Sequence, residues 1–501
     1  MNEEHPISKL REKLAKLKGP LFWRSLDEAA ETDEFKSFLK EEYPHGPALS
    51  DTPSDRREFL KLMGASLVMA GLAGCKPQDL EKIVPYVQAP EDVTPGKPIF
   101  FATAMPFNGA STGLLVESHL GRPTKVEGNP QHPDSLGATS LFHQASILGL
   151  YDPDRSKAIR NGDSLSTWQA FTADLADDLG KLKSAEGEGA YLLTEPVTSP
   201  SLAAQIQAFL KHYPKAVWYQ HESVNRDNER AGIQRAAGQD ASLIYDFTQA
   251  DVIVSFDSDF MTDLPGSLRY AREFSLRRQV IAGTGLDKKA AALPMNRFYQ
   301  IEPTPTTTGS KADHRLARKA SEVSAFAAAL AAELGVSVPG GLTAKLSEKD
   351  TVLVKSMAAD LKAAASKSLI LTGQSQPAAV HALVLAMNEK LGSLGKTVTL
   401  IDAIDVKPAL ASEDLKSLTA DLEAGKVKLL AVLGVNPVYD APADLQFSKK
   451  YLLAERRIHL GLYDDETSLL SHWHIPQTHF LEVFSDGRAS DGTLSFSQPL
   501  I

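Results

Sequence analysis

The sequence predicts an α/β protein whose two lobes are built on mostly parallel sheets. Three observations carry that expectation. Apolar runs of strand length, among them "GAYLLTE", "DVIVSFDSD" and "VKLLAVLGVNP", are bounded by Gly, Asp or Pro. Helical patterns such as "TWQAFTADLADDLGKLK" lie between such runs, and strands alternating with helices mean crossover connections between parallel strands. The runs fall into two series, separated by an Ala-rich helical stretch around residues 322–334.

Taken in order, residues 1–54 form a charged, helix-prone leader in which Trp23, Leu26, Phe35 and Leu39 are the patterned apolar positions. Residues 55–75 read as an export signal. Residues 76–98 carry Pro77, Pro85, Pro90, Pro95 and Pro98 and read as an extended tether. Residues 99–165 are a small β-rich region, with short runs broken by the turn signals Gly-Arg-Pro and Gly-Asn-Pro in "GLLVESHLGRPTKVEGNPQHP". The first α/β lobe is expected over 166–320, with strands in "GAYLLTE", "DVIVSFDSD", "RRQVIAGTG" and "RFYQIEPTP". The second is expected over 321–501, with strands in "KSLILTGQSQ", "KTVTLID", "VKLLAVLGVNP" and "RRIHLGLYDDE". The last run, "DGTLSFSQPLI", is apolar and uncapped, which suggests a fragment or half of a split protein.

The stretch "SDRREFLKLMGASLVMAGLAGCKPQD" bears on compartment. Its apolar part, Leu62 to Gly74, is shorter than the roughly 20 residues a membrane span needs. Gly64, Gly71 and Gly74 would each cost a helix interior about 1 kcal/mol against Ala. A signal h-region tolerates both features, because it is recognised and cut rather than packed. Arg56, Arg57, Phe59, Leu60 and Lys61 match a twin-arginine export pattern, with Asp55 where Ser or Thr is usual. Leu72, Ala73, Gly74 and Cys75 match a lipobox, so Cys75 is the expected site of lipid attachment. The expected location is the periplasmic face of the cytoplasmic membrane.

Composition removes several function classes. With 43% hydrophobic and 23% charged residues the chain is of ordinary globular type, and its net charge of −10 disfavours a nucleic-acid partner. Cys75 is the single cysteine, so the chain can form no internal disulfide and no thiolate zinc site, and cannot hold an iron–sulfur cluster that needs about four thiolates. No Walker loop, G-x-G-x-x-G or G-x-S-x-G motif occurs.

Several collinear stretches resemble the molybdopterin oxidoreductase family. "GRPTKVEGNPQHP" followed by "YDPDRS" is similar to its N-terminal G-R-x-x-K-x-x-G-N-x-x-H-P and Y-D-P-x-R elements. "FTQADVIVSFDSDF", "IEPTPTTTGSKADHRL", "LAVLGVNPVYDAP" and "DDETSLLSHWHIPQTHFLEVFSD" are similar to later elements, from about residue 99 to the end. The resemblance implies the fold of domains 1–3 of the formate dehydrogenase/DMSO reductase type. The departures are equally marked. The set of cluster-holding cysteines that relatives carry before the first strand is missing, "GATSLFHQA" offers Ser140 near the position where a metal ligand is usual, and His472 replaces an aspartate. The cofactor signature is eroded, and no molybdopterin is expected. With "FWRSLDE", the internal signal and "IVPYV", the chain resembles the B-subunit family of alternative complex III, a bacterial quinol:electron-acceptor oxidoreductase. That resemblance implies 3Fe–4S and 4Fe–4S clusters on a ferredoxin-like part lying outside this chain. It implies as partners an integral quinol-binding subunit, cytochrome c subunits and that ferredoxin-like domain.

Other residue groups have structural readings. His472, His474 and His479 beside Glu482 suit no familiar zinc spacing, and are expected to serve surface and packing roles on a loop after a strand. Asp464, Asp465 and Glu466 are read as an acidic loop at a strand end, and "DSDFMTD" lacks the glycine and terminal Glu of a calcium loop. No catalytic residue, cofactor ligand or metal ligand is assigned. The expected function is a non-catalytic, lipid-anchored scaffold in a respiratory complex. The alternatives are an active molybdopterin-dependent oxidoreductase, in which Ser140 and Glu466 would return to consideration, and a free-standing periplasmic binding protein.

Overall fold

A computed structural model of the chain describes residues 93–94, 96–278 and 294–501. The export signal, Cys75 and the strand expected in "RRQVIAGTG" beyond Arg278 lie outside the described residues.

Chain order begins with a three-stranded antiparallel meander, Ile99–Phe107, Ala110–His119 and Arg122–Gly128. Two-residue hairpins join its strands. Asn108 and Gly109 have φ of 51° and 69°, and Leu120 and Gly121 have 51° and 80°. Positive φ at both central residues is the turn whose twist matches that of the flanking strands, and Asn-Gly is its favoured sequence. Leu114, Val116 and Val126 point to one face, where Leu150 and Leu481 cover them.

Two parallel sheets follow. The four-stranded sheet runs His314–Ala317, Arg297–Glu302, Val252–Phe256, Ser368–Thr372 in spatial order, parallel throughout. Its three strands Arg297–Glu302, Val252–Phe256 and Ser368–Thr372 are buried on both faces, and alternate residues serve opposite cores, while the edge strand His314–Ala317 buries only Leu316. Val252, Val254 and Phe256 meet Phe326 and Leu330 of helix Ala320–Leu334, Met357 of helix Glu348–Ala364 and Met387 of helix Ala378–Leu391. Ile253 turns the other way, into an aromatic cluster of Phe247, Phe260, Tyr270, Phe274 and Phe298. The seven-stranded sheet runs Ser164–Leu165, Arg160–Asn161, Trp473–Pro476, Arg456–Gly461, Leu429–Leu433, Ala190–Thr194, Val217–Gln220. Its last five strands are parallel. Leu193, Leu430 and Val432 pack against Leu415, Leu418 and Leu422 of helix Ala411–Glu423, while Ile458 and Trp473 meet Phe171 of helix Trp168–Lys183.

The mixed α/β architecture with mostly parallel sheets is as expected from the sequence. The allocation of strands is different. Leu429–Leu433 and Arg456–Gly461, expected in a second lobe over 321–501, insert beside Ala190–Thr194. Ser368–Thr372 pairs instead with Val252–Phe256. The chain therefore starts one sheet, builds the other and returns, so a cut at residue 320 separates neither. "KTVTLID" is a strand, but it pairs antiparallel with Ala241–Tyr245 in a small separate ribbon. Trp473–Pro476, expected as loop, is a sheet strand. The β-rich N-terminal region also carries a helix, Leu141–Leu150.

Candidate functional site

Ligands of open parallel sheets sit in the crevice beyond the carboxyl ends of the strands. Here the strands Ala190–Thr194, Leu429–Leu433 and Arg456–Gly461 run parallel in adjacent register. Thr194, Glu195, Leu433, Gly434 and Leu460 at their ends line a cleft of about 250 Å³. The hairpin Pro106–Ala110 and residues Phe480, Val483 and Asp486 complete its wall. Phe107, Asn108 and Ala110 of the same hairpin also line a second cleft of about 300 Å³, with Ser140, His143, Met261 and Gly266. The hairpin is thus the partition between two neighbouring clefts. At Gly109 the backbone φ of 69° lies in the left-handed region that favours glycine, and a Cβ there would displace the end of the Arg226 side chain, 2.6 Å away.

Glu195 follows directly from its strand and is open to the first cleft. Among the described residues its carboxylate has no hydrogen-bond or ion-pair partner; the protein around the cleft wall, and secondarily the Glu222 carboxylate, push its pKa up to about 7. Burial also raises Glu222, against the lowering effect of Arg226 and Arg230. Both arginines are directed to Asp405: Arg230 pairs with it, and Arg226 Nη2 lies 3.7 Å from its Oδ2.

Ser140 borders the second cleft as the N-cap of helix Leu141–Leu150. Its backbone N–H donates to His143 Nδ1 at 3.2 Å, its hydroxyl lies 2.6 Å from the same nitrogen, and its Oγ accepts from His143 N–H at 3.3 Å. Because Nδ1 accepts, the imidazole proton sits on Nε2, which has no partner. Burial holds His143 neutral, with a pKa of about 4. Ser140 is therefore committed to capping.

The remaining candidates separate. His472 Nδ1 accepts from Arg457 N–H at 3.1 Å, and His479 Nδ1 accepts from Leu481 N–H at 3.3 Å. Glu482 receives the Arg155 guanidinium at 3.1 and 2.6 Å. His474 is buried and pairs Nδ1 to Nδ1 with His459 at 3.1 Å, the ring centroids being 5.2 Å apart. Desolvation lowers the pKa of both to about 4. Asp464 binds Arg160 at 2.8 Å, Asp465 caps Ser468 N–H at 2.8 Å and Glu466 receives Asn436 Nδ2 at 2.8 Å. In "DSDFMTD", Asp257 (φ 58°) accepts from Ser375 Oγ at 2.6 Å and Gln376 Nε2 at 3.1 Å, and Asp259 accepts from Thr308 N–H at 3.1 Å. Among the described residues no group of three His, Cys, Asp or Glu is placed to hold a metal, and no helix is long and apolar enough to cross a membrane. The sequence reading passed over Glu195, Glu222 and His459. The available signal for Glu195 was its place immediately after an apolar strand.

The fold type implies a molybdenum-bound, phosphorylated pterin at these strand ends, and the lining does not fit one. Among the described residues, neither cleft is lined by an Arg or Lys to meet phosphate. The exposed charge in the first is the Glu195 carboxylate, and Ser140 in the second is held by His143.

No family model matches the chain. It is 23% identical over 479 residues to the menaquinone reductase, molybdopterin-binding-like subunit, of Nitratidesulfovibrio vulgaris, an alignment covering 86% of this chain and 66% of that protein. Its structure superposes on acetylene hydratase from Pelobacter acetylenicus with a TM-score of 0.50 and 13% identity, covering 80% of this chain and 64% of the other. The chain thus spans just under two thirds of the length of each. These likenesses and the interleaved parallel sheets give the chain a molybdopterin oxidoreductase-like fold.

Proposed function

We propose that this chain is a cofactor-free structural subunit of a membrane quinol-oxidising oxidoreductase. The observation that carries the reading is the pairing of two findings. The chain is similar along most of its length to a subunit whose name places it in a menaquinone reductase, and among the described residues its strand-end crevice is lined by no cation for a phosphorylated pterin. In this reading the crevice supplies shape and contacts. Iron–sulfur clusters reside on a ferredoxin-like partner, because one cysteine cannot hold a cluster. Integral quinol-binding and cytochrome c subunits complete the electron path to an acceptor.

The chain reaches the periplasmic face by the twin-arginine pathway and is anchored through lipid on Cys75. A single acyl chain binds membranes only marginally, whereas two or more anchor stably. The test is purification from native membranes, identification of co-purifying polypeptides, and metal and pterin analysis of this chain. Co-purification with a cluster-bearing protein and a membrane protein, without molybdenum here, is expected. A soluble monomer, or stoichiometric molybdenum in this chain, would overturn the reading.

A further inference from the structure

Two buried histidines stand side by side within the seven-stranded sheet. His459 and His474 are paired in register on the adjacent parallel strands Arg456–Gly461 and Trp473–Pro476. His459 is 0% exposed and His474 2%. Their Nδ1 atoms lie 3.1 Å apart, a contact that holds one proton: one nitrogen donates it and the other must stay bare to accept. On the outer side, His474 Nε2 lies 2.7 Å from Ser156 Oγ, and His459 Nε2 has no hydrogen-bond partner among the described residues.

The charged groups that face the pair offer neither ring a counterion of its own. Asp464 Oδ1 is 3.2 Å from His474 Nε2, but the same oxygen receives Arg160 at 2.8 Å. Asp465 Oδ2 is 3.7 Å from His459 Nε2, beyond hydrogen-bond reach, and its Oδ1 caps Ser468 N–H at 2.8 Å. Arg160, on the neighbouring strand Arg160–Asn161, opposes a positive charge on His474. An imidazolium buried here is desolvated without a dedicated partner. Two of them would also face each other N–H to N–H across the 3.1 Å contact. The pair can therefore take up its full complement of protons only by separating.

The strand that would separate lies near the sheet's border and ends at the first cleft. Beyond Trp473–Pro476 come only the two-residue strands Arg160–Asn161 and Ser164–Leu165. That border is tied back by Ser156 to His474, and by Gly162 N–H to His472 O at 2.7 Å. Gln477 and Thr478, directly after the strand, line the first cleft, as does Leu460, directly after His459. We propose that the His459–His474 pair is an acid-sensitive latch. While both rings are neutral it holds strand Trp473–Pro476 and residues 156–165 on the sheet. Proton uptake by the pair releases them, together with the Gln477–Thr478 wall of the first cleft. Both rings titrate at about 4 when closed, against an ordinary value of 6.5, so an opened form binds more protons between those values. The closed form is fully favoured above 6.5 and loses ground as pH falls toward 4. Each proton taken up on opening multiplies the opened population by at most about tenfold per pH unit, and two protons by at most about 100-fold.

Hydrogen–deuterium exchange of the full chain, read by mass spectrometry from pH 7.5 to 4.5 and corrected for intrinsic rates, tests this. Amides in 473–476 and 156–165 should lose protection below pH 6.5, by up to about 100-fold per pH unit. Strand Val252–Phe256, in the other sheet, should keep its protection. His459→Asn retains an acceptor for His474 Nδ1–H and removes one titrating ring, so the dependence should fall to about tenfold per unit. His459→Asn combined with His474→Asn should abolish it. Ser156→Ala removes the outer hydroxyl and no titrating group, and should keep the full pH dependence. Protection in 473–476 that does not change with pH would overturn the proposal. So would a dependence that survives the double substitution, or equal loss in Val252–Phe256, which is global unfolding. If the double variant does not fold, the reduced dependence of His459→Asn decides, and an undiminished one overturns the latch.

Discussion

At the scale of single residues, Glu195 makes the clearest prediction. Its folded pKa, about 7, lies above the ordinary value of 4.5, so the folded state favours the protonated acid. That contribution is complete below about 4.5 and is lost as pH rises through 7. The wild type should therefore lose thermal stability relative to Glu195→Gln across that window, with a constant difference on either side. Melting curves of both proteins from pH 4 to 8 read this directly, and a pH-independent difference would contradict it. Gly373 makes a steric prediction. A Cβ there would lie 1.7 Å from the Asp257 carbonyl oxygen, a backbone atom without a rotamer to change. Gly373→Ala should destabilise by about 3 kcal/mol, the upper end of overpacking costs, measured by urea unfolding. Neither residue was legible as special in the sequence. Glu195 looks like any polar residue ending a strand, and Gly373 like any turn glycine. Their roles come from Glu222 and Asp257, brought close only by the fold.

At the scale of elements, the sequence was more informative. Strands bounded by Gly, Asp or Pro were found where the apolar runs predicted them, and helix Trp168–Lys183 begins within a residue of its expected start at Thr167. Local propensity and periodicity suffice there, because each run carries its own signal. Helix Leu141–Leu150 was missed because its apolar residues fall on both faces: His143 and Leu150 are buried while Leu141, Phe142 and Leu148 face out. How an edge strand is protected also escapes local reading. Ser368–Thr372 lies at the edge of the four-stranded sheet. Asn388, on helix Ala378–Leu391, covers that edge. Its Oδ1 accepts from Ile370 N–H at 3.0 Å, and its Nδ2 donates to Ile370 O at 2.7 Å and Val384 O at 3.1 Å. Asn388→Leu would leave a buried N–H and a buried carbonyl unpaired, at about 1–3 kcal/mol each. A loss of about 2 kcal/mol or more in urea unfolding is expected. A neutral result would mean the strand edge is satisfied in some other way.

At the scale of the whole molecule, the fold class was legible and the strand order was not. Five-residue apolar strands buried on both faces say that a sheet exists, but not which strand is whose neighbour. Leu429–Leu433 and Ser368–Thr372 look alike in sequence and enter different sheets. The motif series that resembles molybdopterin oxidoreductases supplied the global fold that periodicity could not. Two predictions belong to the whole chain in its cell. Arg56→Lys with Arg57→Lys should leave unprocessed protein in the cytoplasm, read by fractionation and mass spectrometry. Cys75→Ser should shift the protein from the membrane to the soluble periplasmic fraction in cells lacking the partner subunits. An unmodified Cys75 thiol in membrane-bound protein would contradict the anchor.

The crevice itself is decided most directly by metal and pterin analysis of the chain purified from its native membrane, with total molybdenum measured by mass spectrometry and pterin by fluorescence after oxidation. Glu195 stands exposed in the first cleft, Ser140 is held by His143, and among the described residues neither cleft is lined by Arg or Lys, so neither signal should rise above background. Stoichiometric molybdenum together with pterin fluorescence would contradict the cofactor-free scaffold and restore the chain to the catalytic members of its fold.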